Sequence, residues 1–107
     1  MIKTIDELLD KLQSEGKDIS TLKMWREQLK SACKRLRKRD ALTDEEFRDA
    51  LDHRDAGHYK LLGSVKALQI VGVISWKEES EIQKNLLEEF LGKEDNNEKK
   101  KEEKQRP

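Results

Sequence analysis

The chain has 107 residues, of which 43% are charged and 34% apolar, and its 23 cations and 23 anions cancel to a formal net charge of zero. That length holds one domain with one modest core. The balance removes any global pull toward nucleic acid or membrane, so an attraction of that kind has to be local.

The first segment, Met1–Glu7, becomes acidic within a few residues and lacks the apolar stretch of a signal peptide. Thr4 and Glu7 have capping-box spacing and open a short first helix over about residues 5–15, with Leu8, Leu9 and Leu12 on one face and Gly16 as its left-handed stop. Ser20 opens the second helix, about 21–39, with Ile19 and Met24 at the positions of a hydrophobic staple. Its apolar stripe is Leu22, Trp25, Leu29, Ala32/Cys33 and Leu36, in the three–four spacing of an amphipathic helix.

Thr43 and Glu46 form the next capping box. The following apolar pattern, Phe47, Leu51, Arg54, His58, Leu61, Val65 and Leu68, runs through Gly57 without a change of phase, which predicts one long helix to about Gly72. Glycine inside a helix costs roughly 1 kcal/mol relative to alanine, so a packing reason is expected. Ala50, Gly57 and Ser64, seven apart, supply one: a ridge of small residues that another helix can approach closely. A helix of that length exceeds what the first helix can cover, so it either bends or meets another chain. Ser75 and Glu78 cap a fourth helix, about 76–91, expected to face Ile82, Leu86, Leu87 and Phe90 inward and to end at Gly92. Residues 93–107 contain no apolar side chain and read as a disordered Lys/Glu tail.

The expected fold is therefore an all-α, four-helix domain over residues 1–92, followed by that tail. The longest nearly apolar run, residues 68–76, is far short of the roughly 20 residues a membrane span requires. Cys33 is the only cysteine, which excludes an intrachain disulfide and points to a reducing cytoplasm.

Charge is unevenly placed. Residues 22–39 carry eight cations against Glu27 alone, a local charge of +7, and residues 40–58 carry seven anions against Arg48 and Arg54, a local charge of −5. Lys23, Arg26, Lys30, Lys34 and Arg37 fall within a sector of about 80° on the second helix at 100° per residue. Two readings follow. The acidic start of the third helix neutralises this stripe as an antiparallel neighbour, or the stripe meets the phosphates of DNA or RNA. The short connection favours neutralisation.

Arg54 and His58 stand at core positions one turn apart and require polar partners, from a neighbouring helix or from a binding notch. His53 and His58 are five apart and diverge, and Cys33 has no companion thiol, so no zinc site is expected. No phosphate loop or nucleophile elbow occurs, and no cofactor or catalytic residue is expected. The turn around Ile70, with Trp76 beyond it, is either a hydrophobic cap on the bundle or an exposed patch. The expected function is a non-enzymatic protein-interaction module, with Arg54, His58, Tyr59, Ile70 and Trp76 as its candidate contacts. A nucleic-acid-binding accessory protein is the alternative, and a homodimer is open.

Overall fold

The structure, a computed structural model, describes residues 1–92. The expected tail, 93–107, lies outside the described residues. Four helices follow one another: α1 (Ile5–Ser14), α2 (Ser20–Arg37), α3 (Asp44–Ile70) and α4 (Trp76–Phe90), with a 3₁₀ turn at Arg39–Ala41 between α2 and α3. Among the described residues there is no strand. The all-α, four-helix expectation holds.

The helix ends form where the local chemistry places them. Thr43 with Glu46, and Ser75 with Glu78, make complete capping boxes at α3 and α4. The cap N–H groups donate to the glutamates, which holds both carboxyls below the usual range. Thr4 accepts from the Glu7 N–H, but Glu7 answers the threonine hydroxyl rather than its N–H, so that box is half made. The start of α2 differs from expectation. Ser20 is already helical, and Asp18 Oδ1 accepts from its N–H and hydroxyl at 2.9 and 2.7 Å. Met24 projects into solvent, so no staple with Ile19 forms. Gly16 and Gly72, with φ of 77° and 82°, close α1 and α3 through paired bonds back to Leu12/Gln13 and Leu68/Gln69, the pattern of a Schellman turn.

The 27 residues of α3 form one unbroken helix about 40 Å long. The helix α2 packs antiparallel along it. Gly57 marks their closest approach: a Cβ built there would meet Leu29 N and Trp25 O at 3.3 Å. Ala50 is buried on the same ridge, so the small-residue spacing serves the α2–α3 seam. By contrast, a Cβ at Gly63 meets nothing within 4 Å.

The helices α1 and α4 cover one end of this pair. The core joins Ile5, Leu8 and Leu12 of α1, Leu29 and Cys33 of α2, Leu61 and Val65 of α3, and Ile82 and Leu86 of α4, closed by Ile74 of the α3–α4 turn. Polar ties fix α1 in place. The Lys11 ammonium donates to Val73 O at 2.9 Å, the Ile2 N–H donates to Glu78 Oε2 at 3.0 Å, and the Asn85 amide donates to Lys3 O at 2.7 Å. At the other end, residues 34–37 of α2 and 44–53 of α3 make a two-helix extension.

Candidate interaction surfaces

The basic stripe of α2 separates into two parts. Arg26 is only 7% exposed and does not belong to a solvent-facing row. Its Nε and Nη2 donate to the two oxygens of Asp6 on α1 at 3.1 and 3.3 Å, and its Nη1 donates to Glu89 on α4 at 2.7 Å. Burial disfavours the Arg26 charge, but the two carboxylates more than compensate and raise its pKa. Partial burial works against ionising Asp6, yet its bonds to Arg26 and the nearby Lys30 hold that carboxyl below its ordinary value. This ion triad ties α1, α2 and α4 together. A cleft of about 260 Å³ opens beside it, bounded by Asp6, Asn85, Glu88 and Glu89. Its guanidinium is already occupied and its rim is acidic, so the cleft offers nothing to an anion.

Lys23, Lys30 and Lys34 remain exposed, and Arg37 lies at the exposed C-terminal end of α2. For Lys23, Lys30 and Lys34, the neutralisation by α3 favoured from the sequence is not what the geometry provides. The face of α2 toward α3 carries Trp25, Gln28 and Leu29, with Gln28 donating to His53 O and the Trp25 and Leu29 backbone against Gly57. That face is centred about 165° around the helix from the lysines. Among the described residues Lys23 and Lys34 form no ion pair, and Lys30 reaches Asp6 of α1 at 3.8 Å rather than a carboxylate of α3.

Arg54 and His58 are drawn into the fold by α4. The Arg54 guanidinium lies 4.0 Å over the Phe90 ring, and the His58 and Phe90 rings are 4.5 Å apart. Arg54 also donates to Asp55. The notch these two side chains would form for a partner is thus filled by Phe90. His58 is buried and its Nδ1 has no hydrogen-bond partner. Burial, with a contribution from Arg54, pushes its pKa down against the opposing pull of Asp55 and Glu89. Cys33 is likewise buried, and burial together with Glu89 raises its thiol pKa despite nearby arginines, the opposite of an activated nucleophile.

The α3–α4 turn divides between interior and exterior. Ile74 is buried and Val73 half-buried against the core, while Ile70, Val71 and Trp76 are 69%, 72% and 66% exposed. Tyr59, eleven residues before Ile70, is 69% exposed. Leu87, expected to face inward, is exposed, because Leu86 takes the core position and adjacent helical side chains diverge by about 100°. Glu79 enters the interior instead, with Oε1 3.4 Å from the Lys66 ammonium and Oε2 without a partner.

These exposed residues follow one geometric rule. Tyr59, Lys66 and Ile70 share a sector of about 40° on α3, and Trp76, Gln83 and Leu87 share a sector of about 40° on α4. The seam between the helices is fixed by Lys66–Glu79 and by the packing of Arg54 and His58 on Phe90. Both sectors border this seam on the side away from α1 and α2. Half-buried Leu62 and Gln83 form the floor of the resulting groove. Lys66, bridged to Glu79, is the one charged side chain among the six sector positions. Tyr59, Ile70 and Trp76 were legible as single candidates. Leu87 and Gln83 were not, although the spacing Trp76–Gln83–Leu87 repeats that of Tyr59–Lys66–Ile70.

No helix among the described residues is long and apolar enough to cross a membrane. Comparison of the chain with protein-family models, curated proteins and solved structures finds no match.

Proposed function

We propose that this chain is a non-enzymatic protein-interaction module of a reducing cytoplasm that works through the α3–α4 face. The observation that carries the reading is a row of exposed apolar side chains, Tyr59, Ile70, Trp76 and Leu87, along one seam of a chain of which 43% of residues are charged. Contiguous apolar surface of this kind is costly to leave in water and marks binding sites. Tyr59, Ile70 and Trp76 are the anchors, since aromatic side chains at the centre of a contact carry a disproportionate share of its free energy. Arg54 and His58 act as the inner support of that face. A non-catalytic role accords with the chemistry of Cys33 and His58, one thiol with a raised pKa and one buried imidazole without a partner at Nδ1.

Lysine-directed cross-linking in cells followed by mass spectrometry tests this. Cross-links to partner proteins are expected from Lys66, Lys77 and Lys84, which flank the groove, and their loss is expected in a Trp76→Asp variant of unchanged helix content. Cross-links confined to Lys23 and Lys34 would overturn the assignment of the face.

A second reading has its own support. The lysines of α2 face away from the acidic helix, so Lys23, Lys30 and Lys34 remain available to a polyanion. Binding to duplex and single-stranded DNA and RNA, measured across salt concentrations, separates the two. Phosphate contacts would give a log affinity that falls linearly with log salt, by about 0.7–0.9 per phosphate neutralised.

A further inference from the structure

The groove admits a particular occupant. We propose that a second copy of this chain covers the α3–α4 face, forming an isologous dimer in which Tyr59 of one copy packs on Ile70 of the other; this rests on the reading of that face as the interaction surface.

Three observations favour a second copy. Area is the first. Tyr59, Ile70, Val71, Trp76, Leu87 and Leu91 are each about half to three-quarters exposed. Given the large surface of aromatic and branched side chains, they present roughly 800 Å², about what each partner contributes to a standard stable interface. Charge is the second. An isologous contact brings a patch against itself, so a patch rich in one sign repels its copy. Inside this groove the charge is Lys66, already bridged to Glu79, and at its rim Lys77 lies 5.7 Å over the Trp76 ring. Elsewhere the exposed lysines of α2, Lys23, Lys30 and Lys34, form a row of one sign that does not pair with itself. Shape is the third. Gly63 lies between Tyr59 and Ile70 on the exposed side of α3, with nothing within 4 Å of its Cβ position. That notch receives a side chain or a helix backbone from outside. Residues 93–107 contain no apolar side chain to match the groove.

The symmetry places a two-fold axis across α3 midway between Tyr59 and Ile70. Antiparallel crossing there sets Gly63 of one copy against Lys66 of the other. Charge at position 63 therefore reads out the arrangement without disturbing the protomer, since the site is open space.

Sedimentation of the full chain from about 1 to about 100 μM gives the test. The wild type is expected to reach twice the 12.6 kDa chain mass. Ile70→Lys is expected to sediment as one chain with unchanged helix content. Gly63→Lys and Gly63→Glu both fill the notch, but Gly63→Lys also opposes Lys66 of the second copy and is expected to weaken association at least tenfold more than Gly63→Glu. A wild type that remains a single chain at every concentration overturns the proposal. So does a dimer indifferent to both Ile70→Lys and Gly63→Lys. If the wild type is a single chain yet Lys66 and Lys77 still cross-link to a different protein, the occupant is wrong and the face is right. If those cross-links are absent as well, both readings fall.

Discussion

At the end of the α2–α3 pair where α1 and α4 pack, Leu29, Leu61, Val65, Ile82 and Leu86 are each 1% exposed or less. At the other end, Ala50 is the buried apolar residue, and Leu36, Leu42, Phe47 and Leu51 are half-covered. There the local contacts are electrostatic and aromatic: Arg39 lies 4.4 Å over the Phe47 ring, and Thr43 and Glu46 close the capping box. The same pair of helices is held by apolar burial at one end and by side-chain charge and capping at the other. Burial contributes about 25 cal/mol per Å² of apolar surface, whereas exposed charge contacts contribute under about 1 kcal/mol each. The two-helix end should therefore open first.

The widest separation between the ends is expected from leucine truncation. Leu61→Ala removes a fully buried side chain from the four-helix end and should cost about 2–5 kcal/mol. Leu51→Ala, at the half-covered end, should cost about 1 kcal/mol. Urea unfolding measures both. Equal losses would show that the ends are not energetically distinct.

Arg26 connects charge to the four-helix end. Arg26→Met leaves Asp6 and Glu89 without their shared cation, with Lys30 still 3.8 Å from Asp6. Breaking a fully buried pair costs about 3–5 kcal/mol, and the half-exposed Asp6 reduces that to about 2 kcal/mol here. The pH dependence gives a second readout. The Asp6 carboxyl titrates below its unfolded value, so its contribution is present above the unfolded pKa near 3.8 and is lost as pH falls through the lower folded value. The variant should lose that part of the acid dependence. His58 acts in the same direction at higher pH. Its folded pKa lies below 6.5, so stability is full above that value and declines as pH falls through the folded pKa.

The sequence was informative where a residue's role is local and less so where it depends on which helix lies opposite. Capping boxes, glycine stops and the unbroken period of α3 are short-range signals, and the four helices follow from them. The direction of the basic stripe is a long-range property. Arg26 lies at the edge of the same 80° sector as its lysine neighbours, and the arrival of Asp6 from α1 and Glu89 from α4 makes it an interior residue. Arg54 and His58 were legible as polar residues in need of partners. That the partner is the Phe90 ring depends on the antiparallel register of α4. Leu86 and Leu87 are indistinguishable by composition, and the seam with α3 decides which one is covered.

Two glycines on one helix refine the comparison further. Within one chain an added methyl at Gly63 meets open space, so Gly63→Ala should raise the stability of the single chain, measured at low concentration, by up to about 1 kcal/mol through helix propensity. At Gly57 the same methyl meets the backbone of α2 at 3.3 Å. Backbone does not rotate aside, so the helices must separate by a few tenths of an ångström along a seam they share over most of α2. Overpacking of that kind costs about 1–3 kcal/mol, which outweighs the propensity gain and leaves Gly57→Ala about 1 kcal/mol less stable. Opposite signs for the two substitutions would establish that α2 approaches α3 on one side while the other side is open.

The smallest effect is expected at Lys34. If the acidic start of α3 neutralised the basic stripe, Lys34→Gln would remove a favourable pair and lower stability by about 0.2–1 kcal/mol. The lysine instead projects from the face of α2 opposite its seam with α3 and pairs with no carboxylate among the described residues. Its removal should leave the unfolding midpoint unchanged within about 0.5 kcal/mol, and added salt should not alter that result. Lys30→Gln provides the internal control, since Lys30 lies 3.8 Å from Asp6 and should show a small, salt-sensitive loss. A loss at Lys34 equal to that at Lys30 would mean that α3 reaches this side of α2 after all, and would remove the ground for leaving the lysines open to a polyanion.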